Sequence, residues 1–120
     1  MNLDEIVMRF ALVANLTLEE ATLWVPICSD AAEDIKIKLK KNVDLELNSR
    51  RLTSAAAALS FYRYTLYRAS GTGMNGFTAG DIKIEDNSNT SIKTAVVVWK
   101  DAKRNIADLL EDEEFVFKQV

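Results

Sequence analysis

The spacing closest to a chemical signature is Gly71-Thr72-Gly73-Met74-Asn75-Gly76, a match to GxGxxG, in which glycines let backbone N–H groups approach a dinucleotide pyrophosphate at a helix N-terminus. The context is reversed: the motif follows a helical pattern and precedes a strand-like one, and no βαβ unit supplies the ribose-binding acid about 20 residues on. A helix ended by Gly71 and followed by a loop through Gly76 explains the same residues. Glu33-Asp34 and Glu111-Asp112-Glu113-Glu114 would offer paired carboxylates or oxygen ligands for a hard cation. Consecutive residues on a helix do not share a face, so a solvated charged surface accounts for both runs. Lys36, Lys38, Lys40 and Lys41, with Arg50 and Arg51, would touch phosphate or an acidic partner, but lysines closing a helix also complement its dipole.

Cys28 is the only cysteine and the chain has no histidine. An intramolecular disulfide, a zinc site of the usual Cys and His type, and a histidine-based triad are thereby excluded. Without an activating base, Cys28 beside Pro26 and Ile27 reads as a small packed apolar group. Trp24, Trp99 and the aromatic row Phe61, Tyr62, Tyr64 and Tyr67 would stack on a ligand, yet their helical spacing suits core or subunit-interface packing. No enzyme chemistry, metal or cofactor is expected. The net charge of −3 removes the broad attraction to phosphate on which non-specific nucleic-acid binding depends. No apolar run approaches the roughly 20 residues that span a bilayer, so no membrane partner is expected. The opening Met1 to Glu5 lacks a basic n-region, and the expected location is the cytoplasm of the cell that makes the chain.

The elements that must position these residues form one domain over 1–120, with 48% hydrophobic and 28% charged residues. Asp4 to Ala14 predicts a first helix with Ile6, Val7, Phe10, Val13 and Ala14 apolar. Thr17 and Glu20 form a capping box for a second, which Pro26 kinks or breaks near Val25; Ser29 or Asp30 then caps a restart. Asn42 to Asn48 alternates at period two but is read as a connection. Ser49 to Ser70 is the strongest helix, with Leu52, Ala55, Ala56, Leu59, Phe61, Tyr62 and Leu66 on one broad face, and it ends at Gly71. Ile82 and Ile84 alternate with Asp81, Lys83 and Glu85 as a strand would, and a polar turn follows at Asp86 to Asn89. Thr90 or Ser91 caps a last helix carrying Ile92, Ala95, Val96, Trp99, Ala102, Ile106, Leu109 and Leu110. The expected fold is therefore mainly α: a bundle of four to five helices with a small β element, residues about 77–85 pairing with 115–120.

Three segments taken together carry a family resemblance: Ala57-Ala58-Leu59-Ser60-Phe61-Tyr62-Arg63-Tyr64, then Phe77-Thr78-Ala79-Gly80-Asp81-Ile82-Lys83-Ile84, then Phe115-Val116-Phe117-Lys118-Gln119-Val120. From Leu18 onward the chain resembles the small head-tail connector (neck, or adaptor) proteins of tailed phages and prophages. It departs from that pattern at Pro26, where a continuous helix is expected. The resemblance implies a non-enzymatic helical subunit that forms a ring beneath the portal protein, meets tail or stopper proteins, and contributes to a channel through which DNA passes as cargo. It further implies the bacterial cytoplasm during assembly and the virion neck afterwards.

The residues expected to make contacts are Tyr64, Tyr67, Val97 and Val98 on helices, and Phe77, Thr78, Gly80, Asp81, Ile82, Ile84, Phe115 and Phe117 in the β element. The alternative of a different class is a small intracellular helical module that regulates another protein as a monomer or dimer.

Overall fold

The computed structural model describes residues 1–75 and 81–111, and these are mainly helical. Helix α1 (Leu3–Ala14) is fixed at both ends by asparagine. Asn2 Oδ1 accepts the Glu5 N–H at 3.1 Å, and Asp4 and Glu5 lie where a helix dipole favours acids. At the exit Asn15 takes φ 59°, ψ 45°, a left-handed conformation that asparagine tolerates better than most residues. This turns the Leu16 N–H back onto the Ala11 carbonyl at 2.8 Å and ends the helix.

The expected capping box is present. Thr17 Oγ1 accepts the Glu20 N–H at 3.1 Å and Glu20 Oε1 accepts the Thr17 N–H at 2.9 Å, which starts the one-turn helix α2 (Leu18–Ala21). A 3-10 turn over Thr22–Trp24 follows, and α3 (Val25–Ile37) begins immediately after it, with Pro26 in its first turn. The break near Val25 is thus where the sequence puts it, but the restart is earlier than Ser29 or Asp30, which lie inside α3. Proline lacks an N–H only where the first turn leaves one unpaired anyway, so it opens this helix instead of interrupting it.

Residues 38–48 connect α3 to α4 (Ser49–Asn75). The period-two alternation there is not a strand: Asp44 Oδ1 accepts the N–H groups of Glu46 and Leu47, both at 3.0 Å, and curls the backbone into a turn. Helix α4 is the centre of the molecule, packed against α1, α3 and α5, while α1 and α3 also touch each other. Ala55 to Ser60 are all buried. Six buried residues in succession cover the whole circumference of a helix with 3.6 residues per turn, so the expected single apolar face is in fact a fully surrounded segment. Phe10, Ile6, Ile35, Leu52 and Ile106 are the largest fully buried apolar side chains around it, each contributing about 1.5–3 kcal/mol. Two buried atoms, Thr53 Oγ1 and Trp99 Nε1, find no hydrogen-bond partner among the described residues, which costs about 1–3 kcal/mol each.

Beyond the core the structure corrects three expectations. Helix α4 does not stop at Gly71 but runs through Gly71 and Gly73 to Asn75, and no described glycine has a positive φ. A glycine ends a helix by turning left-handed; held at helical angles it costs about 1 kcal/mol, which packing along α5 offsets. The expected strand is helical in its described part: Asp81, Ile82 and Ile84 begin α5 (Asp81–Asn105), and the turn expected at Asp86 to Asn89 lies within that helix. Five alternating residues fit either period, and acids at Asp81, Glu85 and Asp86 favour a helix start. Phe77, Thr78 and Gly80, like the expected partner strand with Phe115 and Phe117, lie outside the described residues. Helix α5 packs along α4, with its end at Asn105 beside Arg51 near the start of α4.

Among the described residues the one β pairing is elsewhere, an isolated antiparallel bridge between Leu39 and Leu110. Lys40 N–H donates to the Leu109 carbonyl and Glu111 N–H to the Lys38 carbonyl, each at 2.9 Å. The last helix ends at Asn105, short of the expected Ile106, Leu109 and Leu110, and a 3-10 turn at Ala107–Leu109 delivers the chain to this bridge.

If Pro26 opens α3, Pro26→Ala will change stability by less than about 1 kcal/mol in urea unfolding. A gain near 3 kcal/mol, the relief expected at a helix interior, would show that proline is interrupting a continuous helix.

Candidate functional site

The described residues contain no group of three or more Cys, Asp or Glu placed to hold a metal ion. An open pocket of about 160 Å³ lies between the start of α1 and α3, lined by Met1, Leu3, Ile6, Ser29, Ala32, Glu33 and Lys36. It is smaller than the roughly 300–1,000 Å³ of ordinary ligand sites. Residues 71–75 of the GxGxxG match are helical, so no loop there presents a row of free N–H groups to a pyrophosphate. What the fold does present is contact surface.

One cluster is aromatic. Tyr64 meets Phe10 edge to face at 5.3 Å and Trp24 at 4.7 Å, and Trp24 in turn meets Tyr67 at 5.5 Å. The Arg68 guanidinium lies 5.8 Å from the Tyr64 ring centre. These contacts tie α1, the 3-10 turn and α4 together by ring quadrupoles as well as area. Tyr64, expected at an interface, is only 9% exposed and belongs to the core, because Phe10 and Trp24 close over it. Tyr67, one turn on, is 63% exposed.

At the other end of α4, Arg51 gathers three segments. Its guanidinium donates to Asp108 Oδ1 at 3.0 Å, to the Asn105 carbonyl at 2.9 Å and to Asn48 Oδ1 at 2.6 Å. Arg51 is therefore engaged within the chain. The hydrogen bond from Arg51 holds the Asp108 carboxyl below its ordinary range, although both side chains are exposed and the pair is screened by solvent. A second ion pair, Arg63 to Asp34 at 2.8 Å, joins α4 to α3. Cys28 is buried against α4, and burial pushes its thiol up despite a hydrogen bond with Ser60 that lowers it. Lys36, Lys40 and Lys41 are exposed around the end of α3.

Val97 lies on the outer side of α5 and is 66% exposed, whereas Val98 is half-buried against the core. Sequence reasoning passed over a further pair: Met8, 52% exposed, and Leu12, 81% exposed, face away from the α1 stripe formed by Ile6, Val7, Phe10 and Ala11. The signal was available, since Met8 and Leu12 are one turn apart and off that stripe.

No family model, curated protein or solved structure matches this chain. Its candidate site therefore rests on the geometry of its own surface.

Two outcomes check these environments. Cys28 will react with a thiol probe at pH 8 about a hundredfold more slowly in the folded protein than in urea, and equal rates would place it at the surface. Because the folded Asp108 carboxyl titrates below its unfolded value, its contribution is complete above the unfolded range near 3.9 and disappears as pH falls through the folded value. Asp108→Asn will therefore lower the melting midpoint at pH 7 but not at about pH 2; a difference that grows on acidification would reverse the assignment.

Proposed function

We propose that the chain is a structural subunit of a tailed-phage or prophage virion: a head-tail connector that packs into a ring between portal and tail and contributes to the DNA channel. The observation that carries this reading is large apolar side chains left exposed on several sides of a helical body, among them Leu12 on α1, Val97 on α5 and Tyr67 on α4. A subunit that buries such residues only on assembly needs contacts on more than one side, and heterologous contacts that close make rings. The family resemblance supports the same reading, and the net charge of −3 suits a conduit that DNA must pass without sticking.

The roles are contact, not catalysis. Tyr67 and Val97 meet neighbouring subunits, with Val98 behind Val97 supporting the helix from within. Phe77, Thr78, Gly80, Phe115 and Phe117 reach portal, tail or stopper proteins, and Asp81, Ile82 and Ile84 extend those contacts onto the start of α5. Assembly takes place in the bacterial cytoplasm and the finished ring stays in the virion neck.

Light scattering across a concentration series tests this directly against the 13.4 kDa chain mass. The expected result is a ring-sized species, at high concentration or with portal present. Val97→Asp will weaken it with helix content intact, whereas Val98→Asp will also lower the melting midpoint because Val98 packs on the core. A monomer or dimer that ignores both concentration and portal would replace the connector with a small regulatory module.

A further inference from the structure

Three of the exposed apolar residues, Met8, Leu12 and Val97, sit in two stripes of opposite charge. On α1 the outward line runs Glu5, Met8, Leu12, with Asp4 beside it, all exposed. The only basic residue of α1, Arg9, is turned toward α4, where its guanidinium donates to Ser54 Oγ at 2.8 Å. On α5 the outward line runs Lys93, Val97, Lys100, Arg104, at steps of four, three and four residues that keep them on one face, with Asp101 the one exposed acid among residues 90–104 of that helix. Lys93, Lys100 and Arg104 form no ion pair among the described residues. Both helices pack on α4 and share no substantial contact with each other, so neither stripe covers the other within one chain.

We infer that the outward face of α1 docks on the outward face of α5 of a second copy of this chain. Leu12 and Met8 meet Val97 at the centre, and the acids at the start of α1 meet the bases of α5 around it. Because the two faces differ, each chain offers one of each, and the contact propagates head to tail until its rotation closes a ring. A single helix-on-helix contact buries less than the roughly 1,600 Å² of a standard stable interface, so one contact is weak and closure holds the assembly. Charge at the rim then sets the encounter rate and the partner's orientation, which makes association sensitive to salt.

This inference rests on the proposed self-assembly and is tested so that the two can fail separately. Sedimentation velocity is run on the wild-type chain at about 50 and about 500 mM salt, on Lys93→Glu/Lys100→Glu, on Asp4→Lys/Glu5→Lys, and on an equal mixture of the two variants. Salt should weaken wild-type assembly, and each variant alone should associate about tenfold less tightly at low salt. The mixture should regain assembly, because the basic α1 of one variant then faces the acidic α5 of the other. Regained assembly also shows that both variants are folded. Wild-type assembly that ignores salt, variants that assemble like the wild type, or a mixture that stays dissociated would overturn this pairing and leave self-assembly standing. A wild-type chain that is monomeric at every concentration would overturn self-assembly and the pairing with it.

Discussion

The structure depends on how closely three helices approach α4 between Ala55 and Ser60. Every residue in that stretch is buried, so α4 has no solvent side there and must be surrounded. Alanine makes this possible twice over: it has the highest intrinsic helix propensity, and its single methyl lets neighbouring backbones come near. The neighbours bring small residues in return, Ala11 from α1, Cys28 and Ala31 from α3 and Ala95 from α5, all in the same buried cluster. Larger side chains of the same cluster, Leu52, Leu59, Tyr62 and Tyr64 on α4 with Phe10 and Ile106 from its neighbours, fill the space around this run. A core packed this tightly leaves little room to relax, so an added methylene in the alanine run would push helices apart.

From that arrangement the distribution of surface follows. Since α4 takes the inner faces of α1, α3 and α5, whatever remains apolar on those helices faces outward. The ends are then fastened by directional contacts. Rings meet edge to face at Trp24, Tyr64 and Tyr67, while Arg51 joins the connection after α3 to the end of α5 through Asn48, Asn105 and Asp108. The Leu39–Leu110 bridge brings the exits of α3 and α5 side by side at this same end. Packed on the same α4, α1 and α5 are held in a set relation to each other, which a subunit repeating the same contacts around a ring requires.

Much of this was legible in the sequence, and the failures have particular causes. The cap at Thr17 and Glu20, the break before Val25, the connection at Asn42 to Asn48 and the apolar stripe of α1 are local signals, and local chemistry decides them. The length of α4 beyond Gly71 and the helical start of α5 are tertiary: glycine at Gly71 and alternation at Ile82 and Ile84 describe what an isolated segment prefers, and two antiparallel helices supporting each other outweigh it. The surface was read less well for the same reason. Tyr64 and Tyr67 are indistinguishable on a helical wheel drawn for one face, and only the arrival of Phe10 and Trp24 makes one core and leaves the other exposed. Met8 and Leu12 escaped notice because attention to an apolar stripe passes over apolar residues off it.

Native-state hydrogen exchange measured residue by residue tests the central place of α4 most directly. The amides of Ala55 to Ser60 should be the slowest in the molecule and exchange only through global unfolding, with α1 and α5 opening at lower free energy from their outer sides. Amides in α1 or α5 that outlast those of Ala55 to Ser60 would contradict the account, because the segment taken to hold the other helices would then be held by them.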